Sequence, residues 1–155
     1  MLYDSRETLR ALLTWPPLVT ASPGVSTAPR RPELVVVLVD ADEEPQRLQM
    51  LESWVEDLPV DKVIGVPVQE FEAWLLADDA ACNSVFGATL DPLPELEAMP
   101  RRAAKEALDE RSRDCCPDKP ERIVRQSLAS VLDLDVAARR CGSLRTFRAR
   151  LARSG

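Results

Sequence analysis

Six consecutive apolar residues, LVVVLV at 34–39, run straight into DADEE at 40–44, where four of five side chains are acidic. No other stretch limits the possible folds as much. A β-branched run without polar alternation suits a strand covered on both faces, as in the middle of a parallel sheet. Parallel strands need a crossover. Residues 43–58 supply one, with Leu48, Leu51, Val55 and Leu58 on one helical face and Trp54 beside them. Lys62–Val66 (KVIGV) reads as a second short strand stopped by Pro67. Glu70–Asp79 (EFEAWLLADD) reads as the next helix, with Phe71, Trp74, Leu75 and Asp78 on adjacent turns. Strand, helix, strand, helix predicts an α/β fold with right-handed crossovers.

The flanking segments are helical or irregular. Asp4–Thr14 predicts a helix opened by an Asp4/Glu7 capping box, and five prolines between residues 15 and 32 predict a loop. Beyond the proline-punctuated DPLPELEAMP, helical patterns cover 101–112, 120–133, 135–141 and 143–153, the last with Ser143 at its N-cap. At 155 residues the chain suits one domain. The expected layout is an α/β core over 1–90, with the Pro-rich loop at 15–32, and a helical extension of the same domain over 91–155. No apolar run approaches the roughly 18 residues of a membrane span, and no export signal opens the chain, so no membrane association and a cytoplasmic location are expected. Cys82, Cys115, Cys116 and Cys141 form no C-x-x-C pair and read as reduced thiols.

The chain has no histidine, which removes imidazole bases, serine or cysteine triads and histidine-held zinc. Chemistry falls to carboxylates, basic groups, hydroxyls, thiols or an oxygen-held metal. In open α/β sheets ligands bind outside the carboxyl ends of the strands, where Asp40 sits. If extended geometry continues for two residues, Asp42 points the same way. Their mutual repulsion is offset by Mg²⁺ or Mn²⁺, which take hard oxygen ligands. The alternative is a solvated turn in which Glu43 and Glu44 favour a helix N-terminus. Glu70, Glu72, Asp78 and Asp79 follow the second strand and belong to the same edge of the sheet. Glu72 also suits the first turn of its helix on dipole grounds alone. Charge is uneven along the chain. Residues 1–100 hold 6 basic and 18 acidic side chains, whereas 101–155 hold 14 basic and 8 acidic. Such a split suits a metal site beside a phosphate-binding surface, or an ordinary arginine-rich helix surface.

VVVLVDAD, QEFEAWLLAD, the lysine-bearing PRRAAKEAL, DKPERI and RCGSLRTFRARL together resemble a bacterial TOPRIM-like family of unassigned function. That family is related to the TOPRIM half of the OLD nucleases and is often encoded beside ATPases. The resemblance spans roughly 33–153, and EAWLLAD is its most specific part. It implies a TOPRIM or Rossmann-like α/β fold: a small parallel sheet flanked by helices, with a helical C-terminal region. It also implies Mg²⁺-dependent, nuclease-type action on nucleic acid, in phage defence with an ATPase partner. Asp40, Asp42 and Glu72 match the family's catalytic and metal-binding carboxylates, and Lys105 and Lys119 match its phosphate-binding lysines. A homodimer is compatible with the family. TOPRIM domains open with a strand ending in glutamate. MLYDSRETLRALL instead reads as helix, with Glu7 in a capping role, so a truncated core is expected. The alternatives are a catalytically incomplete subunit that docks onto an ATPase and, on the D-x-D alone, a nucleotide-sugar transferase or a haloacid-dehalogenase-type phosphatase.

Overall fold

The computed structural model describes residues 34–154. The expected helix at 4–14, with its capping box, and the loop at 15–32 lie outside the described residues. Two strands form the sheet, β1 (Leu34–Leu38) and β2 (Asp61–Gly65), paired in parallel with Leu34 opposite Asp61 and Leu38 opposite Gly65. The ladder continues past both strands, with Val39 N–H donating to Gly65 O (3.1 Å) and Ala41 N–H to Pro67 O (3.0 Å). The crossover carries α1 (Arg47–Val55), which buries Leu51 and Val55 against Val37 and Ile64, with Val35, Val39, Leu48 and Trp54 around them. This is the expected small α/β arrangement with a helical C-terminal region.

Seven α-helices complete the described chain: α1, then α2 (Glu72–Leu75), α3 (Asp79–Phe86), α4 (Ala103–Cys115), α5 (Glu121–Val131), α6 (Leu134–Arg140) and α7 (Gly142–Leu151). Leu75, Leu76, Leu96, Leu108, Val124 and Leu128 form a second core among α2–α7. Apolar burial on this scale is the main term holding the helices together. Trp74 lies at the seam. Its ring stacks on Phe147 of α7 (centroids 5.7 Å apart), and Phe71 meets it edge-on at 5.9 Å. Trp74 Nε1–H donates to Ser143 Oγ at 2.8 Å, so the one polar atom of the buried indole is satisfied.

Four expectations change in detail. The strand is not covered on both faces among the described residues: Val36 is 50% and Leu38 41% exposed, while Val37 is buried. Among the described residues α7 packs chiefly on β2. The helix expected over 43–58 starts only at Arg47, because Asp42 and Glu43 take left-handed backbone angles (φ 50° and 63°) that break it from β1. The segment 70–79 forms two short helices rather than one. Asp78 is extended between them, and its carboxylate accepts from Ala80, Ala81 and Asp133 N–H. Such a buried carboxylate is tolerated only when its oxygens are bonded, and capping α3 achieves that. Ser143 does not cap α7. Glu97, from the 3-10 turn Leu96–Ala98, accepts from Gly142 N–H (2.7 Å), Ser143 N–H (3.0 Å) and the Ser143 hydroxyl.

Gly65 marks the closest approach of α7 to the sheet. A Cβ there would sit 2.7 Å from Leu38 Cδ1 and 2.8 Å from Phe147 Cδ2. Gly65→Ala is therefore expected to destabilise the fold by about 1–3 kcal/mol through overpacking. Adding Phe147→Leu should recover part of that loss in urea denaturation, and no recovery would place the strain elsewhere.

Candidate functional site

Where the chain leaves β1, Asp40 reaches across the end of the sheet. Its Oδ1 accepts from Phe71 N–H at 2.8 Å, tying the exit of β1 to the start of α2. Burial raises the Asp40 pKa above the ordinary aspartate value. The Phe71 bond opposes that rise, and the charges of Glu72, Asp42 and Glu70 add to it. Desolvation and like charges act together here. Glu70 is itself buried, and its Oε2 accepts from Lys105 N–H at 3.0 Å. It thereby satisfies a free amide in the first turn of α4, whose own N-cap, Arg102, makes no side-chain capping bond. Gln69, at φ 62°, makes the turn that brings Glu70 inward.

The other two expected ligands have arginine partners. Asp42 does not continue the strand geometry. Its left-handed backbone sends the chain into a turn, where its carboxylate pairs with Arg47 (3.5 Å) and Arg101 (3.4 Å). Glu72 pairs with Arg125 of α5 at 3.1 Å. Arg125 also holds Asp109 (2.9 Å) and Glu121 (3.1 Å). Burial by itself would lower the Arg125 pKa, but the hydrogen bonds it donates to Glu121 and Glu72 and the charges of Glu72 and Asp109 raise it overall.

The donors at this edge are hard carboxylate oxygens, the chemistry that Mg²⁺ and Mn²⁺ prefer. Their placement does not make a finished metal site: among the described residues no three acidic or cysteine side chains converge where an ion would be held. Asp40, Asp42, Glu70 and Glu72 share the edge, but ion pairs engage two of them and a helix amide a third. Lys105 is exposed in the first turn of α4, next to Glu70. Lys119 lies beyond the other end of that 13-residue helix, roughly 20 Å away at 1.5 Å per residue. There it borders a cavity of about 410 Å³ with Cys115 and Cys116. The two lysines therefore do not act at one point. All four cysteines are free, and burial pushes the Cys82 and Cys141 thiols up to about 11.

Sequence reasoning did not single out Arg47, Arg101 and Arg125. The local signals were the Glu121/Arg125 spacing of four residues and the Glu44/Arg47 spacing of three. The partners Asp42 and Glu72 lie 59 residues from Arg101 and 53 from Arg125. In comparisons with known proteins, no family model, curated protein or solved structure matches this chain. No helix among the described residues is long and apolar enough to cross a membrane.

Asp40→Asn keeps the acceptor for Phe71 N–H and removes the charge. Because the folded-state pKa of Asp40 is raised, its ionisation opposes folding. That penalty appears as pH rises from the unfolded value through the folded one. Thermal melts at pH 7 should show the Asn variant higher, with the difference vanishing below about pH 4. A variant that melts lower at pH 7 would mean that the carboxylate is stabilising.

Proposed function

We propose that this chain is a TOPRIM-like, nuclease-type domain that acts on nucleic-acid phosphodiesters with Mg²⁺ or Mn²⁺, and that Asp40 is the carboxylate on which the site depends. One observation carries the reading. Asp40, Asp42, Glu70 and Glu72 gather at the carboxyl ends of both parallel strands, and Asp40 feels the charge of the other three. Burial plus like charge at a sheet edge is how functional carboxylates commonly differ from solvated ones. Asp42 and Glu72 are the companion ligands, and Lys105, exposed in the adjacent first turn of α4, is the phosphate contact.

A second reading has its own support. Arg47, Arg101 and Arg125 balance the charges of Asp42 and Glu72 without a metal ion. That pattern suits a catalytically incomplete subunit, whose task is docking, within an ATPase-containing system.

Calorimetry with Mn²⁺ and a supercoiled-plasmid assay with Mg²⁺ or Mn²⁺, each on wild type and Asp40→Asn, separate the two. The nuclease reading expects nicking by wild type, and Mn²⁺ binding about tenfold weaker in the variant, a difference of about 1.4 kcal/mol. The absence of both metal binding and cleavage in the wild type would favour the docking reading. Identical behaviour of the two proteins in both assays removes Asp40 from any metal chemistry.

A further inference from the structure

One flank of β2 carries backbone groups that no strand among the described residues pairs. Val39 N–H bonds Gly65 O and Ala41 N–H bonds Pro67 O, so β2 turns every second peptide group toward β1. The groups between, at Lys62, Ile64 and Val66, face the other way. Two cavities follow that flank. One of about 650 Å³ borders Lys62 and one of about 220 Å³ borders Val66, with Ile64 and Arg150 common to both. Ile64 is buried, and buried backbone groups nearly always find partners. Extended peptides add to sheets through such groups. We propose that the open flank of β2 docks an extended segment of a partner protein as a third strand. This surface is separate from the acidic edge and does not depend on its chemistry.

The walls of the groove define what the segment carries. α1 covers one face of the sheet, where Ile64 packs with Leu51 and Val55, and α7 covers the other, where Phe147 lies over Gly65. In the larger cavity the α1 side is acidic, with Glu52 and Glu56, and the α7 side is basic, with Arg150 and Arg153. Successive side chains of a strand point to opposite faces. Complementarity therefore selects a segment of alternating charge, basic toward α1 and acidic toward α7. Leu48, Val66 and Phe147 line the smaller cavity, which takes an apolar side chain at the end of the segment. In the free chain Arg150 closes the groove, reaching Ile64 O at 3.5 Å and Glu52 at 3.4 Å. Both contacts are long and both side chains are partly exposed, so this closure is weak. A cation on a strand edge also discourages pairing between copies, which favours a different protein over a second copy of this chain.

The probe is a fluorescein-labelled peptide that alternates lysine and glutamate, with a leucine at each end, titrated into the full chain and followed by anisotropy. A block peptide of the same composition, lysines first and glutamates after, should bind at least about tenfold more weakly. Amide exchange read by NMR should slow about tenfold or more at Ile64 and Val66 when the alternating peptide saturates the protein, and stay unchanged at Val63 and Gly65, which face β1. Arg153→Glu, at an exposed position past the end of α7, should weaken binding about fivefold, whereas Arg139→Glu, an equal charge change on α6, should not. Failure of the alternating peptide to bind overturns the proposal, as does equal binding of the block peptide, or binding that leaves Ile64 and Val66 exchange unchanged. Equal losses in the two arginine variants remove the assigned charge pattern. Slow exchange at Ile64 and Val66 before any peptide is added also overturns it. A dimer mass by light scattering then assigns the flank to a second copy, and a monomer mass assigns it to residues 1–33 of the same chain.

Discussion

The junction at Trp74 holds the two halves of the molecule in register. Its ring stacks on Phe147, its N–H is taken by Ser143, and Ser143 in turn is bonded to Glu97. Phe147 lies over Gly65, so the same aromatic that packs on Trp74 also rests on the sheet. A two-stranded sheet with one helix has little core of its own. Its stability depends on being joined to the larger helical cluster, and this contact makes the join.

The acidic edge depends on that join because its members come from both halves. Asp40 and Asp42 follow β1, whereas Glu70 and Glu72 enter α2 beneath Trp74. The backbone amide of Phe71, which Asp40 accepts from, is three residues from Trp74. Like charges are kept close by bonds that each carboxylate makes elsewhere: to a helix-start amide, to the first turn of α4, or to an arginine. Their repulsion is tolerated, and in Asp40 it persists as a raised pKa.

Both strands, their parallel pairing and the existence of the later helices were legible from LVVVLV, KVIGV and the apolar spacing. So was the position of Asp40, since a charged residue that closes an apolar run in an α/β pattern falls at the carboxyl edge. Other features were decided by partners distant in sequence. Asp78 looked like one more helical residue, and its role as a cap is set partly by Asp133, 55 residues away. Ser143 looked like a cap, but the helix starts one residue before it, and Glu97 takes the Gly142 and Ser143 amides and the Ser143 hydroxyl. Asp42 was expected to follow the strand, and its left-handed turn pairs it with nearby Arg47 and with Arg101, 59 residues away, which no local pattern reveals. The arginine partners of the acids were the least legible part, because long flexible side chains can meet carboxylates from many places in a fold.

The bond from Glu70 to the Lys105 amide has a consequence for how the molecule breathes. α4 is the longest helix described, and its first turn is secured from outside by a side chain in the linker that leads to α2. Opening of that turn would release Glu70, and with it the linker that presents Phe71 to Asp40. Fluctuations at the start of α4 are thus transmitted to the end of the sheet. The exchange rate of a single backbone amide, that of Lys105, would report how often Glu70 lets go of the helix.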